Sequence, residues 1–187
     1  EEVLSVGSEI VLSNAYHLYL RPGVELVQRL GGLHQFMGWS QPILTDSGGF
    51  QAFSMGSLKE IDESGIRFRS HIDGSEHFLS PELSLEYQAL LGADIAMVLD
   101  QCPAYGLEEA QVHQAMDRTH RWALRCKEIH SQEDQALFAI VQGGVSPDLR
   151  LESAATLVSM DFDGVSLDFD GLVFIGNSTY LDAFCSI

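Results

Sequence analysis

The chain has 187 residues, 45% hydrophobic and 20% charged, which is enough for one sizeable core and argues for a single domain. Ten basic residues against 27 acidic ones give a net charge of −17 with histidine neutral, so a polyanionic partner would need a local basic patch or a second polypeptide. No stretch reads as a bilayer span or a signal peptide, and Cys102, Cys126 and Cys185 lie far apart without metal-ligand spacing, so the composition points to a cytoplasmic protein with free thiols.

In chain order, the first strand is expected over Glu9 to Ser13 and the second over Pro42 to Thr45. Lys59 to Leu79 alternates in polarity around Asp73-Gly74, which is β-hairpin turn chemistry, and reads as an insertion. Ser80-Pro81-Glu82 supplies an N-cap, a first-turn proline and an early acid for a helix that stops at Gly92. A third strand follows over Asp94 to Asp100. The segment from Glu108 to His130 keeps Val112, Met116, Thr119, Ala123 and Cys126 on one helical stripe, with Arg118, Arg121, Arg125 and Lys127 largely outside it. Met116 and Trp122 read there as packing residues. A fourth strand spans Ala136 to Gln142, Ser146-Pro147-Asp148 opens another helix, and Phe162 to Phe169 gives a fifth strand. Strands apolar on both parities and separated by helices imply a parallel sheet covered on both faces.

Three of these strands end alike. The run "PILT" meets Asp46-Ser47-Gly48-Gly49, "IAMVL" meets Asp100-Gln101-Cys102-Pro103, and "LFAIV" meets Gln142-Gly143-Gly144. In a (β/α)8 barrel such ends converge on one mouth, where glycines let the backbone approach a ligand. Two carboxylates and a carboxamide suit a flat heterocycle: the acids accept from ring N–H and amino groups, the amide donates to a carbonyl, and Phe50 can stack on the face. Guanine has that edge. Each residue alone also has a plainer reading, with Asp46 capping a helix, Asp100 pairing with an arginine and Gln142 serving a loop.

The stretches "SNAYHLYLRPG", "LTDSGGFQ", "FLSPE", "GADIAMVLDQCPAYG" and "FAIVQGG" resemble, in order, the motifs of the tRNA-guanine transglycosylases, also called queuine tRNA-ribosyltransferases. The resemblance runs to about Gly164 and implies an α/β fold, a partial TIM (β/α)8 barrel with a β-hairpin insertion. It also implies exchange of the wobble guanine of certain tRNAs for queuine or a 7-deazaguanine precursor. By resemblance, Asp46 is the catalytic acid that handles the proton of the departing and incoming bases. Phe50 stacks on the base, Asp100 and Gln142 recognise it, Ser47 and Cys102 line the pocket, and Gly143 and Gly144 form the loop beside Gln142. Asn14 and Tyr16 match a motif at the pocket wall with structural roles, and the role of His17 stays open. The family's partners are tRNA, the base and a second copy or homologous subunit. Its chemistry is a double displacement in which an aspartate attacks the ribose anomeric carbon as guanine leaves.

The family pattern continues beyond "DFDG" with a glycine-rich loop, the nucleophilic aspartate and a zinc site of three cysteines and a histidine. Here 165–187 read as a divergent tail in which "DFDG" recurs at Asp168 to Gly171, so Asp168, Asp170 and Asp182 are not assigned as nucleophile. The zinc implied by the family has no ligands in this chain. The family's first strands also have no counterpart, and a whole barrel takes about 250 residues, so residues 1–164 read as a partial barrel of an incomplete chain. Two other readings stay open: a non-catalytic accessory subunit or inactive fragment of the family, and an unrelated TIM-barrel hydrolase or lyase using Asp46 and Asp100 as acid and base.

Overall fold

The computed structural model of the protein describes residues 2–55, 57–169 and 172–176. Helix α1 (Glu2–Ser5) leads into strand β1 (Val11–Ser13), and three short helices, α2 (Ala15–Leu20), α3 (Val24–Arg29) and α4 (Gly32–Met37), carry the chain to β2 (Ile43–Thr45). Helix α5 (Gly49–Ser54) precedes β3 (Ser57–Asp62), β4 (Gly65–Arg69) and β5 (Glu76–Leu79). Then follow α6 (Pro81–Leu91), β6 (Ile95–Met97), α7 (Glu109–Ile129), β7 (Ala136–Val141), α8 (Pro147–Ser159), β8 (Gly164–Phe169) and β9 (Leu172–Gly176).

The main sheet runs β1-β2-β6-β7-β8-β9. The first five strands are parallel and β9 returns antiparallel to β8. Each new parallel strand is laid beside the last without reversal of direction along the sheet, which is the winding of a barrel rather than of a doubly wound sheet. Among the described residues the sheet stays open. The parallel arrangement has one functional consequence: the C-terminal ends of β1, β2, β6 and β7 all emerge at the same edge.

The expected hairpin insertion has three strands. β3, β4 and β5 form a separate antiparallel sheet, with Ile66 opposite Leu79 and Asp62 opposite Gly65. The additional turn is closed by Asp62, whose Oδ1 accepts from the backbone N–H groups of Ser64 at 2.7 Å and Gly65 at 3.3 Å. Such an aspartate turn has no Asn-Gly or Asp-Gly signature, which is why Asp73-Gly74 alone stands out in the sequence. The buried Phe68 and Ile66 of this small sheet pack on Trp122, Leu99 and Tyr16 and fix it to the larger one.

The strong caps form as their residues dictate. Ser80 accepts from Leu83 N at 3.2 Å and Ser146 from Leu149 N at 3.5 Å, each followed by a first-turn proline that has no N–H to orphan. Glu108 and Gln111 form a capping box at the start of α7. Its buried stripe, Met116, Thr119, Ala123 and Cys126, faces the sheet, while Arg118 and Arg121 reach Glu63 and Arg125 grips Glu82. On the helix-facing side of the sheet Leu137, Ala139 and Val141 pack against Ala123, Cys126, Ala154 and Leu157. The opposite parity therefore faces the barrel interior.

Candidate active site

The interior parity and the strand ends together enclose a cavity of about 230 Å3. Its floor is Leu12 from β1, Leu44 from β2, Met97 from β6, Ile140 from β7 and Ser166 from β8; its rim carries Asn14, Asp46, Ser47, Phe50, Asp100, Cys102 and Gln142. Residues up to 154 positions apart in sequence, from Leu12 to Ser166, are neighbours here because parallel strands deliver their ends to one edge.

Asp46 follows β2 directly. Its Oδ1 accepts from Ala15 N at 2.9 Å and its Oδ2 from Asn14 Nδ2 at 2.5 Å. Asn14 is also the N-cap of α2, accepting from His17 N at 3.1 Å, so one side chain both starts that helix and aims the carboxylate. The helix-capping reading of Asp46 is thus partly realised, on Ala15 at the start of α2. Burial, with the charge of Asp100 adding to it, pushes the Asp46 carboxyl up to about 6, against the opposing hydrogen bonds from Ala15, Gly48 and Asn14. An acid in that range exchanges a proton near neutral pH.

Asp100 is buried and its carboxylate accepts from Ser47 Oγ at 3.2 Å and from Gln142 Nε2 at 2.7 Å. Ser47 in turn accepts from Gly49 N at 3.3 Å. Gly48 has φ +79°, and a β-carbon there would press on Tyr16; at Gly49 a β-carbon would stand 2.9 Å from the Asp100 carbonyl oxygen. The paired glycines after Asp46 therefore let two strand ends approach one another, which side chains would prevent.

Gln142 is held from behind: its N–H donates to Ser153 Oγ at 3.2 Å, which also meets His120 Nε2 at 2.9 Å. Burial lowers the His120 pKa and favours the neutral ring in that chain. Beyond Asp100, Gln101 N donates to Thr119 Oγ1 at 2.9 Å, and Arg118 donates to the Gln101 side chain at 2.5 Å, tying the loop to α7. Phe50 is 52% exposed at the mouth, an apolar ring standing at the entrance.

Gly143 and Gly144 turn the chain from β7 into α8 rather than lining the cavity. Gly143 has φ +129°, and a β-carbon on it would lie 2.7 Å from Arg150 N. Tyr16 is buried, with its hydroxyl 3.0 Å from His71 Nδ1, and His17 is exposed beside both rings. Asp170, Asp182, Cys185 and the rest of the divergent tail beyond Gly176 lie outside the described residues.

A profile of the family described as queuine tRNA-ribosyltransferase matches residues 1–180. The chain belongs to that family. Three curated relatives carry the same name: one from Desulforamulus reducens is 59% identical over 167 residues, covering 89% of this chain and 45% of the relative. One from Pelotomaculum thermopropionicum is 56% identical with the same coverage, and one from Fusobacterium nucleatum is 56% identical over 170 residues, 46% of its length. The chain spans under half the length of these relatives.

Among the described residues no group of three or more His, Cys, Asp or Glu side chains could hold a metal ion, so zinc finds no ligand set in them. No helix among them is long and apolar enough to cross a membrane.

Two residues of the site went unmarked in the sequence. Gln88, fully buried on α6, accepts from Thr45 Oγ1 at 3.0 Å and Met97 N at 2.8 Å and donates to Met97 O at 2.8 Å, bridging β2 to β6. Ser166 of β8 lines the cavity floor. A lone glutamine on a helix and a lone serine in a strand carry no motif; only the fold reveals their positions.

Proposed function

We propose that this chain carries the base-binding part of a tRNA-guanine transglycosylase, which exchanges guanine at the tRNA wobble position for queuine or a related 7-deazaguanine. The observation that carries this reading is the convergence of Asp46, Asp100 and Gln142 on one cavity with an apolar floor. A purine-sized heterocycle lies on Leu44, Met97 and Ile140, its ring N–H and amino group turned to Asp100. The remaining N–H of the Gln142 amide points to a carbonyl, and Phe50 covers the outer face. Asp46, with its carboxyl at about 6, accepts the ring proton of the incoming base and returns one to departing guanine.

Because the site is a concave pocket, the wobble nucleotide leaves its stack to enter it. A second carboxylate then displaces the base at the ribose anomeric carbon, forming and resolving a glycosyl–enzyme bond. By family resemblance that nucleophile lies in sequence downstream of the "DFDG" motif, together with the zinc ligands. The proposed partners are tRNA, a 7-deazaguanine base and a second copy or homologous subunit, and the buried thiol of Cys126 suits the cytoplasm.

The test is incorporation of radiolabelled guanine into a queuosine-type tRNA. It compares this chain, a version extended through the family's downstream segment, and the extended version with Asp46→Asn. Exchange by the extended protein that Asp46→Asn abolishes supports the reading; an extended protein that folds and exchanges no guanine contradicts it.

A further inference from the structure

Along β8 the side chains alternate between two environments. Val165 packs in the core under α7 and α8, and Ser166, paired in register with Ile140 of β7, lines the cavity. The other floor residues, Leu12, Leu44, Met97 and Ile140, are all apolar. Ser166 is 1% exposed, and its Oγ has no hydrogen-bond partner among the described residues. A buried hydroxyl without a partner is destabilising, and alanine would occupy the same place without that cost. Such an orphan on a residue that lines a ligand cavity marks a position where the partner arrives with the ligand.

The donors around Asp100 indicate which partner. Ser47 Oγ and one N–H of Gln142 both donate to the Asp100 carboxylate. A base that turns its N–H and amino groups to Asp100 still carries a carbonyl oxygen with two lone pairs, for which Gln142 has one N–H left. Ser166 is the one floor residue with a further donor. Resting on the base-pocket reading above, we propose that Ser166 is a specificity-determining residue whose hydroxyl donates to the carbonyl oxygen of the bound base. The floor thereby selects lactam heterocycles over those that lack the carbonyl.

The experiment is equilibrium titration of the full chain and its Ser166→Ala variant with guanine and with 2-aminopurine, which keeps the ring and amino group and lacks both the carbonyl and the neighbouring ring N–H, so that only the effect of the substitution on each ligand is compared. The proposal predicts that Ser166→Ala binds guanine about five- to tenfold more weakly, the scale of one hydrogen bond, and binds 2-aminopurine as the parent does. It also predicts that the ligand-free variant melts at the same or a higher temperature, since an orphaned hydroxyl has been removed. Equal losses for both ligands, no loss for guanine, or a lowered melting temperature with no change in discrimination would each overturn the role of Ser166. If the parent chain binds guanine and only the variant comparison fails, the base pocket stands without Ser166. If the parent binds neither ligand, the pocket reading fails and this inference with it.

Discussion

Replacing Gln88 by leucine tests how the strand ends that carry Asp46 and Asp100 are held at their spacing. The ladder between β2 and β6 has only two register pairs, Leu44 with Ile95 and Thr45 with Ala96. One residue further on, the Gln88 amide takes over, pairing with both the N–H and the C=O of Met97 as a neighbouring strand would, while holding the Thr45 hydroxyl. Leucine has a similar volume, so little cavity is created, but three polar groups in a fully buried position lose their partner. At about 1–2 kcal/mol for each orphan, Gln88→Leu costs about 3–6 kcal/mol, or a fall in melting temperature of about 10 °C for a chain of this size. The assay is chemical denaturation of parent and variant at pH 7, with guanine binding measured on the folded variant. Base affinity should fall as well, because Asp46 and Asp100 follow the two strands that Gln88 joins. A loss below about 1 kcal/mol would refute the reasoning, since the bridge would then not be what couples the strands.

Folding raises the Asp46 carboxyl from 3.8 to about 6, so the stability it contributes is fully present below pH 3.8 and is lost as pH rises through 6. The size is at most about 3 kcal/mol, and Asp46→Asn should flatten the stability profile over that interval; a profile unchanged by the substitution would contradict the raised value. Gly49→Ala places a β-carbon against the Asp100 carbonyl and the Leu99 side chain, so it should destabilise the protein by about 1–3 kcal/mol and weaken base binding, read by denaturation and titration. Glu63→Ala removes the ion pair of Arg121, half exposed like Glu63 itself, and leaves Arg118 its bond to Gln101, so it should change stability by no more than about 1 kcal/mol.

Much of this architecture is written locally. The caps at Ser80 and Ser146, the long α7 and the apolar strands are each specified within a dozen residues, and the strands are found where apolar runs meet glycine or acid. The trio Asp46, Asp100 and Gln142 was visible because each follows such a run, and parallel topology makes run ends meet. The short helices α2 to α5, six residues each, were not visible. Six residues give fewer than two turns of periodicity, and their caps are glycines or, at Asn14, a side chain shared with Asp46. Gln88 and Ser166 escape for a different reason. Their roles are set by what lies across the sheet, so neighbouring sequence contains no trace of them. Gly143 and Gly144 show the converse: a motif-like pair beside Gln142 in which Gly143 approaches α8 and Gly144 approaches Val112 of α7, with the cavity formed by others.

The measurement closest to the central claim is binding of guanine and adenine to the chain and to its Asp100→Asn variant by equilibrium titration. A pocket built on the Asp100 carboxylate and the Gln142 amide predicts that the parent prefers guanine. Asp100→Asn should lower guanine affinity by about 10- to 100-fold, the range for hydrogen bonds to a charged acceptor, with little effect on adenine. Equal affinity for the two purines in the parent, or guanine binding untouched by Asp100→Asn, would contradict the assignment of this cavity to the base.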